Sequence, residues 1–111
     1  MKFGLKENVI EKIQQVFSST AQLEEAILYG SRAKGNFKKG SDIDIVLKGN
    51  GLDLKVMNQI SGKLDDLLLP YMFDVSVNKQ ISDPDLLDHI RRVGVIFYQK
   101  QVKGHKMADV G

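Results

Sequence analysis

The sequence predicts an α/β domain of the α+β type, one layered sheet of about four short strands with helices packed against it. Two observations carry this: strand-like and helix-like runs alternate along the chain, and Gly, Ser or Pro marks most of the boundaries between them. A third is the size, since 111 residues support one hydrophobic core and leave little for a second. Hydrophobic residues make up 42% and charged ones 27%, the balance of a folded globular chain rather than a disordered one.

The elements follow in order. Leu5, Val9, Ile10, Ile13, Val16 and Phe17 recur at helical spacing with Lys6, Glu7, Glu11 and Lys12 between them, which predicts an amphipathic helix over residues 5–17. Glu25 to Tyr29 reads as a short strand running into Gly30-Ser31, with residues 31–36 opening a short helix or basic turn. A second strand covers Asp42 to Leu47 and is broken by Gly49-Asn50-Gly51. Leu52, Val56, Ile60, Leu64, Leu67 and Leu68 outline a further helix that Pro70 stops. Tyr71 to Val77 is the third strand. Ser82-Asp83-Pro84 signals an N-cap followed by proline in the first turn of a helix that Gly94 ends. Val95 to Tyr98 is the fourth strand, and the apolar residues here and at Leu86, Leu87 and Ile90 are assigned to the core. The domain is thus expected over residues 1–99, with residues 100–111, which lack a sustained apolar pattern, as a flexible tail.

The strands carry an anomaly. Asp42 and Asp44 sit in an otherwise apolar run and Asp74 in the middle of another. Side chains alternate along a strand, so Asp42 and Asp44 leave one face to Ile43, Ile45 and Leu47, and Asp74 and Ser76 leave one face to Phe73, Val75 and Val77. If both apolar faces join one core, all three aspartates emerge on the opposite surface. Carboxylates held close together repel unless a cation lies among them. An all-oxygen donor set suits Mg²⁺, which takes one or two carboxylates plus substrate phosphates. Upstream, Gly30 permits a sharp turn, Ser31 offers a hydroxyl and an N–H, and Arg32, Lys34, Lys38 and Lys39 supply positive charge.

Other classes are disfavoured. The net charge of +2 is too small to point to nucleic acid or an anionic membrane. The absence of cysteine removes disulfide, thiolate and zinc-thiolate chemistry and fits a reducing cytoplasm. The first residues lack the apolar core of a signal peptide, and no run is long enough to span a bilayer. His89 and His105 stand isolated and are assigned no chemistry.

Taken together, "GSRAKG" followed by "SDIDI" resembles the signature of the DNA polymerase β-like nucleotidyltransferases, and the short chain is most similar to their minimal group. The resemblance extends over residues 5–98 and implies a polymerase β-like fold with one mixed sheet. It implies that Gly30, Ser31, Arg32 and Ser41 face the phosphates of ATP or another nucleoside triphosphate. Asp42, Asp44 and Asp74 would hold two Mg²⁺ ions, with Asp74 also helping to deprotonate an acceptor hydroxyl. Lys34 stands where the family often has arginine, so its role stays open.

A chain this small has no room for an acceptor-binding domain. Minimal members resemble antitoxins that pair with an all-helical HEPN toxin, some transferring AMP to its tyrosine. A hetero-oligomeric protein adenylyltransferase is therefore the leading expectation. A non-catalytic antitoxin acting by contact, or an antibiotic adenylyltransferase subunit, are the alternatives.

Overall fold

A computed structural model describes residues 1–101. The expected tail from residue 102 on, with His105, lies outside the described residues. The elements are α1 (Glu7–Ser18), β1 (Glu25–Tyr29), α2 (Gly30–Lys34), β2 (Ile43–Lys48), α3 (Leu54–Asp65), β3 (Phe73–Val77), a 3₁₀ turn (Asn78–Gln80), α4 (Pro84–Val93) and β4 (Val95–Gln99). The four strands form one mixed sheet in the order β3-β2-β1-β4. β1 is antiparallel to β2 and β4, while β2 and β3 are parallel. A parallel pair needs a crossover, and α3 supplies it.

The alternation read from the strands sets the layers. Ile43, Ile45 and Leu47 join Leu28, Phe97, Ile13, Phe17, Ile60 and Leu64 in the main core, which α1 and α3 cover. On the other face Ile27, Tyr29 and Val46 form a smaller cluster closed by Ile90 of α4. Burying each of these large side chains contributes roughly 1.5–3 kcal/mol, so most of the stability resides on the α1–α3 side. The helix starts follow their caps. The Asp53 carboxylate accepts the Val56 N–H at 2.9 Å, and the Asp83 carboxylate accepts the Asp85 N–H at 2.9 Å with Pro84 in the first turn.

Several boundaries differ from the periodicity: α1 begins at Glu7 rather than Leu5 and β3 at Phe73 rather than Tyr71, and two further differences have local causes. α3 ends at Asp65 rather than continuing through Leu67 and Leu68, and Leu68 is 88% exposed. The Leu67 and Leu68 amides bond back to Leu64 and Asp65 in tight three-residue turns, which close the helix well ahead of Pro70. The short helix after β1 begins at Gly30 and ends at Lys34, where Gly35 takes the left-handed conformation at φ 89°. Among the described residues no helix is long and apolar enough to cross a membrane.

Candidate active site

The topology brings the chemistry-bearing residues to one end of the sheet. Because β1 and β2 are antiparallel, Gly30-Ser31 at the end of β1 lies beside Asp42 and Asp44 at the start of β2. Because β2 and β3 are parallel, the start of β3 arrives at that same end, and Asp74 pairs with Asp44 in register. Tyr29 is Asp44's partner on the other side, so Tyr29, Asp44 and Asp74 form a row across three strands. The strand adjacency required by the sequence pattern is therefore present. Asp74 and Asp42 are exposed and Asp44 is half-buried.

Gly30 is shaped by its neighbour. Its φ of 74° lies in the left-handed region, and a Cβ built on it would collide with Asp44 Oδ2. Any larger residue would both strain the turn and push the carboxylate away. Burial raises the Asp44 carboxyl, and the Asp74 and Asp42 charges raise it further, to about 6, against a lowering from Arg32. Burial likewise raises the Tyr29 hydroxyl, with Asp74 and Asp44 adding to the effect and the Ser76 hydroxyl opposing it.

Arg32, expected beside the phosphates, is buried with its donors engaged by the main chain. It is 2% exposed. Its Nε and one terminal nitrogen donate to the Ser41 carbonyl at 3.1 and 2.9 Å, and the other terminal nitrogen donates to the Phe3 carbonyl at 2.8 Å. The guanidinium also lies against the rings of Phe37 and Tyr71. It serves as a clamp that ties the basic turn to the N-terminal segment. A buried guanidinium with its donors on main-chain oxygens is satisfied there and is not free to reach solvent. Ser41 is the other half of that clamp, and its hydroxyl accepts the Lys38 N–H at 2.8 Å. Lys34, Lys38 and Lys39 are exposed.

His89, isolated in the sequence, also stands at this end of the sheet. Its Nε2 accepts the Gly30 N–H at 3.3 Å, and its ring stands edge-on to Tyr29 at 6.1 Å between centroids. The available signal was its place one residue before Ile90, on the helix that covers Tyr29. That spacing fixes a helix face but does not say which strand end the helix reaches.

Among the described residues, no three carboxylate or imidazole groups stand close enough to cage a metal ion by themselves. The paired Asp44 and Asp74 fit a hard divalent cation all the same. Both are oxygen donors, their repulsion is relieved by a positive charge between them, and a two-carboxylate set leaves positions for phosphate oxygens.

Residues 11–103 match the family described as "Polymerase beta, Nucleotidyltransferase". No curated protein matches. Among solved structures, the chain is similar to one chain of a toxin–antitoxin complex with AMP-PNP, with 23% identity over 96% of this chain and 82% of that one and a TM-score of 0.65. It is also similar to a chain in the complex of a tri-AMPylated HEPN toxin with an MNT antitoxin from Shewanella oneidensis, at 19% identity over 94% and 81% with a TM-score of 0.64. A third similarity is to the toxin–antitoxin MntA–HepT, at 19% identity over 95% and 81% with a TM-score of 0.63.

Proposed function

Since this chain belongs to the polymerase β-type nucleotidyltransferase family, we propose that it transfers AMP from ATP to a hydroxyl of a partner protein, as the antitoxin of a HEPN toxin pair. The observation that carries the reading is the register pairing of Asp44 with Asp74 beside Gly30-Ser31. The structural neighbours that contain AMP-PNP or an AMPylated HEPN toxin support the choice of nucleotide and partner.

In this reading the acceptor oxygen bonds to the α-phosphorus, the bond to the bridging oxygen breaks, and pyrophosphate leaves. Asp74, exposed at the rim, takes up the acceptor's proton. Asp44 and Asp74 would hold Mg²⁺, with Asp42 adding negative charge beside them; the ion would neutralise phosphate charge and make the acceptor hydroxyl more acidic. Ser31 presents its hydroxyl and N–H to the phosphates, and Gly30 lets the Asp44 carboxylate approach the turn closely. The Ser41 hydroxyl accepts from Lys38, which leaves its proton for a phosphate oxygen. Lys34, Lys38 and Lys39 supply positive charge on the phosphate side. Arg32 acts through the Ser41 carbonyl as a positioning residue, and its charge keeps Asp44 from rising further. No side chain is required as a covalent nucleophile, and the protein contributes position and charge.

Intact-mass analysis of a co-expressed neighbouring HEPN-family protein, incubated with this chain, Mg²⁺ and each nucleoside triphosphate in turn, tests the proposal. A gain of one or more AMP groups, lost when Asp42→Asn and Asp44→Asn are combined, is expected. A tight complex with no mass change under any of the four nucleotides would replace transfer with neutralisation by contact.

A further inference from the structure

Between α3 and β3 the chain alternates like a strand, but with the wrong residues outside. Leu67, Leu69, Tyr71 and Phe73 turn inward and pack on the main core. Leu68, Pro70, Met72 and Asp74 turn outward, with Leu68 88% and Met72 73% exposed. The outward positions of a half-buried segment are ordinarily polar. Here three successive ones are apolar, and the fourth is the acid paired with Asp44.

Two features indicate that this row is more than chance exposure. Leu68 holds φ at 55°, in the left-handed region that glycine or asparagine adopts readily and leucine does not. A strained residue whose side chain gains nothing from the core points to a use outside the fold. The row is also continuous with the site. The Ile43 N–H donates to the Met72 carbonyl at 2.9 Å, which extends the β2–β3 ladder back to Met72 and sets its side chain on Asp74's side. Among the described residues β3 is an edge strand, paired only with β2.

The charge around the row selects its partner. Asp65 and Asp66 flank Leu68 at one end, and Asp42 and Asp74 stand at the other, all exposed. Such a rim repels a phosphate backbone or an anionic lipid and attracts lysine and arginine. We propose that Leu68, Pro70 and Met72 form the docking row for the protein acceptor, a surface whose hydroxyl is flanked by apolar and basic side chains. This deepens the nucleotidyl-transfer reading and rests on it for the word acceptor.

Binding of fluorescently labelled random copolymers poly(Lys,Tyr) and poly(Glu,Tyr), and of a labelled single-stranded oligonucleotide, measured by anisotropy, tests the row. Wild-type protein is expected to prefer poly(Lys,Tyr). Combining Leu68→Gly with Met72→Ser is expected to weaken that binding by about tenfold, while the melting temperature stays unchanged or rises as the strain at Leu68 is relieved. Met72→Glu separates apolar docking from simple charge attraction, because docking predicts weaker binding and charge alone predicts tighter. Undiminished binding in the double variant, tighter binding by Met72→Glu, or preference for poly(Glu,Tyr) or the oligonucleotide would overturn the proposal. Stabilisation by Mg²⁺ with ATP is measured alongside on both proteins. Its absence in wild type would count against nucleotidyl transfer, while the polymer arm still decides the row.

Discussion

Asp44 and Asp74 stand opposite each other on neighbouring parallel strands, one half-buried against Gly30 and the other open to solvent. Without a cation this pairing is unfavourable. The Asp44 carboxyl is raised to about 6 by burial first and by the Asp74 and Asp42 charges next. A folded-state pKa above the unfolded one means that the folded protein binds more protons between the ordinary value of 3.8 and about 6. The Asp44 contribution to stability is therefore fully present below pH 3.8 and is lost as pH rises through about 6.

Asp44→Asn is therefore expected to stabilise the metal-free protein at neutral pH and to abolish the proposed transfer. The gain, discounted for partial exposure, is about 1–2 kcal/mol at pH 7.5 and disappears towards pH 3.8. Thermal unfolding in EDTA across that range checks it, and an Asn variant less stable than wild type at pH 7.5 would count against the electrostatic account.

Gly30→Ala and Gly35→Ala form a matched pair. Both glycines have positive φ, but a Cβ at Gly35 meets nothing within 4 Å whereas one at Gly30 meets Asp44. Each substitution is expected to cost about 1–2 kcal/mol of stability for the backbone alone. Gly30→Ala alone is expected to lose transfer as well. Denaturant unfolding and turnover, measured on both, separate the two effects, and equal activity would remove the close approach from the site.

Arg32→Lys tests the clamp. Lysine keeps the charge but cannot place donors on both Ser41 and Phe3 while lying against Phe37 and Tyr71. The variant is expected to lose about 2–3 kcal/mol in urea unfolding. A phosphate ligand would behave otherwise, leaving stability unchanged and raising only the KM for ATP.

The contact of His89 with Gly30 predicts a local signature. His89→Phe keeps the ring beside Tyr29 and removes the acceptor for the Gly30 N–H. Amide hydrogen exchange at Gly30 should accelerate in that variant, with core amides such as Ile45 unaffected. An unchanged Gly30 rate would mean that the bond does not form in solution.

The contrast between Asp74 and His89 shows what the chain discloses by itself. Asp74 was legible because period-two alternation left Phe73, Val75 and Val77 to the core, and only strand order was missing. His89 was not, since its role depends on where α4 lands over the small cluster of Ile27, Tyr29 and Val46. The place of Arg32 in "GSRAKG" points to a phosphate role, yet its surroundings, Phe3 and Tyr71, come from distant parts of the chain. Leu67 and Leu68 continued the helical spacing of α3, and only the tight turns after Asp65 moved them out of the helix. Local patterns thus disclosed faces and motifs, while long-range contacts set the partners.

In the proposed function, Asp42, Asp44 and Asp74 direct attack at the α-phosphate. ATP labelled with ³²P at either the α or the γ position, incubated with Mg²⁺, this chain and the co-expressed HEPN-family protein, tests it most directly. Attack at the α-phosphorus leaves α-label on the acceptor, releases γ-label as pyrophosphate, and is lost in Asp74→Asn. Retention of the γ-label on the acceptor, or α-label transferred undiminished by Asp74→Asn, would contradict it.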